Sequence, residues 1–215
     1  MIIDGHVLPR DYANAYQAGA GLDLPTIIGS NRQEMGGDRP AARAPALIAS
    51  AFDGATPDVL ALYGIIDGVV PGDDPLLGSL PMQVVTDAWF RCPASWLSGK
   101  MRTRSSQVWH YEFGFGPPGT GKPPEHTSEM PYIHRAPPAD ASASTWPPIR
   151  SYWVNFLRHG DPNGDGLPAW PVVGDDDAYL RFEPAAITVG HALRAPICAR
   201  MFRDHDAPRS ALMPP

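Results

Sequence analysis

Cysteine is scarce in this chain of 215 residues, which holds only Cys92 and Cys198. Two are too few for a disulfide framework, and neither has a partner at the spacing that zinc ligands take, so no metal site is expected. Read alone, they fit two buried free thiols. Charge is also thin: charged residues make up 19%, and 17 Lys+Arg stand against 23 Asp+Glu for a net charge of -6. There is no basic block and no aromatic stripe interleaved with arginine, which argues against nucleic acid as a partner. No run approaches the roughly 18 apolar residues that a membrane span needs. The opening MIIDGHVLPR lacks a basic n-region and an apolar h-region, so no signal peptide is expected in this chain.

What is plentiful is proline and glycine. Pro (26) and Gly (21) together exceed a fifth of the residues, without any periodic repeat, and predict long irregular connections. Hydrophobic residues at 43%, with six Trp, are enough for the core of a single domain spanning residues 1–215.

Three segments read as strands. DLPTIIGSN (23–31) is a β-branched apolar run closed by turn residues, with the strand over Thr26–Gly29. SSQVWHYEFGF (105–115) alternates around Val108, Trp109, Tyr111 and Phe113 and stops at Gly114 and Gly116. AYLRFEP (178–184) is the third. Helices are predicted over APALIASAF and PDVLALYGII, the second starting at Pro57 and Asp58. From Leu76 to Met101 an apolar face runs through Val84, Val85, Ala88 and Trp89, and Pro93 must break or kink it, so two helical segments should meet near Cys92. WPPIRSYWVNFLRHG (146–160) places Ile149, Tyr152, Trp153 and Phe156 at i, i+3, i+4 and i+7, with Gly160 at the exit. Residues 116–144 are rich in breakers and predict a long loop with at most one helical turn. HALRAPICARMFRDH (191–205) reads as a final helix. Strands separated by helices predict an α/β architecture, and three strands are few for a complete doubly wound sheet.

Two motifs mislead. GPPGTGK (116–122) imitates a phosphate-binding loop, but Pro123 stands where Ser or Thr should hold magnesium, and Pro124 follows where a helix should offer N–H groups. DPNGDG (161–166) opens like a calcium loop, yet its twelfth position is Val172 rather than a bidentate Glu. A turn after a helix explains it better, and the run Asp175, Asp176, Asp177 reads as a solvated turn.

Five segments, in order, carry a more specific pattern. IIGSNRQE (27–34) resembles the strand and turn, I-G-x-N-x-x-E-G, that end in the catalytic acid of type-B carboxylesterases. EHTSEMPYI (125–133) resembles the H-G-x-E-L-P-Y-V-F loop that carries the histidine of that family. SYWVNFLRHGDPNGDGLPAWP (151–171) is similar to the family's Y-W-x-N-F-A-x-x-G-D-P-N-x-x-x-L-P-x-W-P stretch. DGHVLP and VTDAWFRCPA (85–94) match two further landmarks, and the likeness runs from Ile3 to about Phe202.

The resemblance implies the C-terminal part of an α/β-hydrolase fold with few strands, helices and long loops. Position by position, Glu34 corresponds to the triad acid, His126 to the triad base, and Glu129 to a buried glutamate behind the histidine. A serine hydroxyl needs an imidazole to take its proton, and a carboxylate to fix the tautomer and stabilise the imidazolium. Acid before histidine is the chain order of α/β-hydrolases. Without the motif, Glu34 would read as an exposed turn residue and His126 as a surface histidine. His110, His134, His159 and His205 read as structural or solvated. Met35 and Thr127 stand where the family has, or often has, Gly, which puts the shape of both turns in question. Cys92 and Cys198 fall where cholinesterase-like members carry half-cystines, so a disulfide is expected in an exported protein.

No serine stands in G-x-S-x-G, and no H-G-G-G oxyanion loop is present. The resemblance therefore implies a carboxylic ester hydrolase without cofactor whose isolated chain is inactive, with a small ester as substrate in the complete enzyme and an N-terminal companion polypeptide as partner. A non-catalytic, cholinesterase-like adhesion module is the competing expectation.

Overall fold

The computed structural model describes residues 3–202 apart from 8, 11, 20–22, 36, 53 and 104–106. Leu8 of DGHVLP, His205, and the ends of the readings over 105–115 and 191–205 lie outside the described residues.

Four strands form one sheet in the order β1-β2-β3-β4: Thr26–Asn31, Val108–Phe113, Ala178–Phe182 and Ile187–His191. The first two pairings are parallel and the last is antiparallel. β1 runs two residues beyond the expected Gly29, as Ser30 and Asn31 pair with Glu112 and Phe113. Among the described residues β1 hydrogen-bonds to β2 alone and forms one edge of the sheet.

β4 is a correction. Ile187, Thr188 and Val189 are β-branched and suit a strand, but the segment is short, and three of its five residues are exposed. Little apolar periodicity is left to reveal such an outer strand. The final helix starts at Ala195, not His191.

The helices are α1 (Tyr12–Gln17), α2 (Ala44–Phe52), α3 (Pro57–Leu62), α4 (Leu80–Thr86), α5 (Cys92–Met101), α6 (Met130–His134), α7 (Ile149–His159) and α8 (Ala195–Met201). α3 stops before the expected GII, where Gly64 turns the chain at φ 74. α7 has the expected bounds, closed by Gly160 in the left-handed conformation that releases a helix.

The junction at Cys92 is a full turn of π-helix, Asp87–Arg91, between α4 and α5. Pro93 has no N–H to give and its ring crowds the carbonyl four residues back. Widening the turn, with Cys92 N–H reaching back to Asp87 O, carries the helix past this obstacle without ending it.

β2 is covered on both sides. Trp109 and Tyr111 meet Phe156 and Trp153 of α7, and Phe113 packs against Phe182 in the same aromatic cluster with Tyr152 and Trp170. His110 and Glu112 face the other way, towards α5 and the π turn. On that side a second core gathers Ile48, Val59, Leu80, Val84 and Ile197 from α2, α3, α4 and α8. Cys92 and Cys198 form a disulfide inside it, tying the start of α5 to α8 across 106 residues of sequence.

The two misleading motifs are turns. Lys122 is followed by non-helical backbone, and helix resumes only at Met130. Asn163 is bonded to Asp161 Oδ1 and clamps the backbone of Trp170 in both directions.

Candidate functional site

Parallel strands deliver the loops that follow them to one end of a sheet. β1 ends at Asn31, and the next three residues turn and present Glu34; the loop after β2 brings His126 to the same place. His126 Nδ1 lies 2.7 Å from Glu34 Oε2 across 92 positions of sequence. The backbones meet as well, with His126 N–H donating to Glu34 O at 3.0 Å.

Glu34 is held from several sides. Its Oε1 accepts the N–H of Asn31 at 2.7 Å, and its own N–H donates to Thr86 Oγ1 at the end of α4. The residue is only 6% exposed. Burial raises its carboxyl above the ordinary value of 4.5, against the lowering influence of its bonds to His126 and Asn31. The His126 side chain is half exposed, and its ring lies against Phe90 of the π turn, with centroids 5.1 Å apart. One imidazole nitrogen is thus anchored on a buried carboxylate while the ring stays accessible, the arrangement that a general base requires.

Glu129 lies on the same loop, three residues beyond His126. It is half-buried, and its Oε2 accepts from Asn31 Nδ2 at 2.6 Å. The same amide donates to Glu125 O, so Asn31 stitches the acid turn to the histidine loop. Asn31 stood inside the motif IIGSN, but nothing in that motif assigned its side chain a partner. Thr86 and Phe90 carried no signal either, because their contacts depend on where the π turn sits.

Of the two departures from glycine, Thr127 does adopt the left-handed conformation, at φ 70, so the turn after His126 keeps a shape that glycine favours. Met35 is not among the described residues with positive φ.

A buried charge network backs the site. Arg91, fully enclosed, pairs with Asp87 one turn earlier and donates to the carbonyl of Arg32 at 2.7 Å. Burial works against the Arg91 charge, but Asp87 and Glu112 outweigh it and hold the guanidinium firmly protonated. Arg32 bonds to Glu112 at 3.3 Å and to Glu183, while Arg194, the residue before α8, reaches Asp87 at 2.8 Å. Ions this deep persist because each has a partner, and removing one partner would strand another. The network fixes β1, β2, the residue after β3 and the π turn to each other just behind Glu34.

Among the described residues no group of three His, Cys, Asp or Glu could hold a metal ion, and no helix is long and apolar enough to cross a membrane.

Comparison with known proteins gives a consistent picture. The profile of the Carboxylesterase family matches residues 78–201. Carboxylesterase 1C of Mus musculus is 28% identical over 206 residues, covering 84% of this chain and 37% of that protein. Cocaine esterase of Homo sapiens is 27% identical over 227 residues, covering 90% and 39%. The crystal structure of Aspergillus niger EstA superposes with a TM-score of 0.69 at 19% identity, over 94% of this chain and 44% of that one. The α/β-hydrolase architecture is therefore shared, and the chain spans well under half the length of these relatives.

Proposed function

The chain belongs to the carboxylesterase family, and from that premise we propose that it is the C-terminal part of a carboxylic ester hydrolase, contributing the acid and the base of a catalytic triad. The observation that carries this reading is the Glu34–His126 pair, 2.7 Å apart on loops that follow adjacent parallel strands.

On this reading His126 Nδ1–H donates to Glu34 Oε2, which fixes the tautomer and leaves Nε2 to take the proton of a serine hydroxyl and return it to the departing alcohol. Glu34, braced by the Asn31 N–H, stabilises the imidazolium that forms between these steps. The serine and the oxyanion donors come from a companion region, since no serine here stands in G-x-S-x-G. β1, open along one edge, is where further strands would pair. The substrate is a small carboxylic ester.

The test has two arms. The purified chain should release p-nitrophenol from p-nitrophenyl esters at the background rate, and a burst that disappears in His126→Ala would contradict this. In a longer polypeptide that supplies G-x-S-x-G upstream, His126→Ala should lower kcat by a factor on the order of 10⁴ or more. Unchanged turnover in that variant would remove His126 from the mechanism.

A further inference from the structure

The turn that presents the acid is short. Arg32 N–H still donates to Phe113 O at 2.8 Å, and only Gln33 separates Arg32 from Glu34. Two of its backbone groups are held by one helical stretch. Thr86 Oγ1, at the end of α4, accepts the N–H of Glu34 at 3.1 Å, and Arg91 Nη2, at the end of the π turn, donates to the carbonyl of Arg32 at 2.7 Å. Between them in sequence, Phe90 lays its ring on His126, with centroids 5.1 Å apart. Residues 86–91 thus touch both members of the pair, the acid through its backbone and the imidazole directly.

Helix geometry gives the wide turn a purpose. In an α-helix, residues five apart point about 140° away from each other, which would turn Arg91 away from the loop that Thr86 holds. A turn closed by an i→i+5 bond, as Cys92 N–H closes on Asp87 O, takes roughly one residue more per revolution and brings Thr86, Phe90 and Arg91 round to one face. Arg91 suits its place because a guanidinium fork offers several donors in fixed directions. It pairs with Asp87, lies 3.5 Å from Glu112 Oε1 of β2, and still reaches the Arg32 carbonyl, while wholly enclosed.

We propose that the π turn Asp87–Arg91 is the positioning element of the Glu34–His126 pair, with Arg91 the positioning residue for the acid and Phe90 that for the imidazole. Arg91 sets where Glu34 stands by fixing the carbonyl two residues before it. Phe90 sets the tilt of the His126 ring, so that Nδ1 stays on Glu34 Oε2 and Nε2 stays open.

The test reads the tautomer of His126 from its ring nitrogen shifts by NMR, in the purified chain near neutral pH. The wild-type chain should show the Nδ1–H form alone, held by the bond to Glu34. Arg91→Lys keeps the charge without the fork, and Phe90→Leu keeps the apolar bulk without the flat ring; each should give a mixture with the Nε2–H form. Arg194→Met is the control, since it removes the other cation on Asp87 without touching the acid turn. It should lower the Tm and keep the Nδ1–H form alone. An unmixed tautomer in either folded variant would overturn the assignment, and so would mixing in Arg194→Met equal to that in Arg91→Lys, which would reduce the signal to a report of stability. If Arg91→Lys does not fold, Phe90→Leu, at a partly exposed residue, decides alone. In the longer polypeptide that supplies G-x-S-x-G, both variants should lower kcat by about tenfold to a hundredfold with KM unchanged. The proposal rests on the ester-hydrolase reading, yet the tautomer arm needs no serine: failure of that reading shows as turnover indifferent to His126→Ala, whereas failure of the positioning role shows as an undisturbed tautomer.

Discussion

Thr86 Oγ1 accepts the backbone N–H of Glu34 at 3.1 Å, so the turn that carries the acid is fastened to the last residue of α4. Thr86 is wholly enclosed. Thr86→Val keeps the side-chain shape but leaves a buried N–H unpaired, which should cost about 1–3 kcal/mol of stability. Urea unfolding measures it, and the Glu34–His126 hydrogen bond should weaken with it, seen as loss of the low-field Nδ1–H signal. A stability change within about 0.3 kcal/mol would show that the turn is held by its other bonds.

The disulfide closes the same region from the other side. Cys92 follows directly on the π turn that carries Phe90 and Arg91, and Arg194, at the N-cap of α8, pairs with Asp87 of that turn. Replacing both cysteines by Ala should destabilise the chain by about 2–5 kcal/mol. Under non-reducing conditions, peptide mapping should recover the two cysteines in a single linked pair. Finding both as free thiols would remove the bridge.

His110 gives the protein an acid limit. Its folded value is depressed to about 4 from 6.5, by burial and by Arg91, so the unfolded chain binds the proton first. The stability this contributes is complete above 6.5 and is lost as pH falls from there through about 4, amounting to roughly 3 kcal/mol in full. Glu34 acts with the opposite sign, because its raised carboxyl favours the folded state as pH falls through that value towards 4.5. Denaturant unfolding from neutral pH down to about 4 should show a net acid loss, and His110→Gln should be markedly less sensitive over that range. Parallel curves for the two proteins would refute the assignment.

Much of this arrangement was legible in the sequence wherever apolar periodicity or turn chemistry was strong. α7 follows from Ile149, Tyr152, Trp153 and Phe156 with Gly160 behind them, and the break at Pro93 announces the junction at Cys92. The fold class followed from strands separated by helices. β4 did not, because a short outer strand with one buried residue has almost no pattern to read. The motifs named Glu34 and His126, but the partners that surround them come from distant positions. Asn31 bonds to Glu125 and Glu129 across more than ninety residues, and Thr86 reaches Glu34 across 52. Such pairings depend on the packing of α4 and the π turn, which local sequence does not encode.

Thr127 offers the most local test. It stands at φ 70, a region in which a β-branched residue is strained by about 1–2 kcal/mol. The turn is nevertheless imposed by its surroundings: His126 N–H donates to Glu34 O, Ser128 N–H to Glu125 O, and Glu125 N–H to Ser128 Oγ. Thr127→Gly should relieve the strain, offset in part by the greater freedom of glycine in the unfolded chain, for a net gain of up to about 1 kcal/mol. The Nδ1–H signal of His126 should be preserved, because no bond to Glu34 involves the Thr127 side chain. Destabilisation by the same amount would mean that Thr127 holds the loop through its side chain and that the left-handed turn is not a strained one.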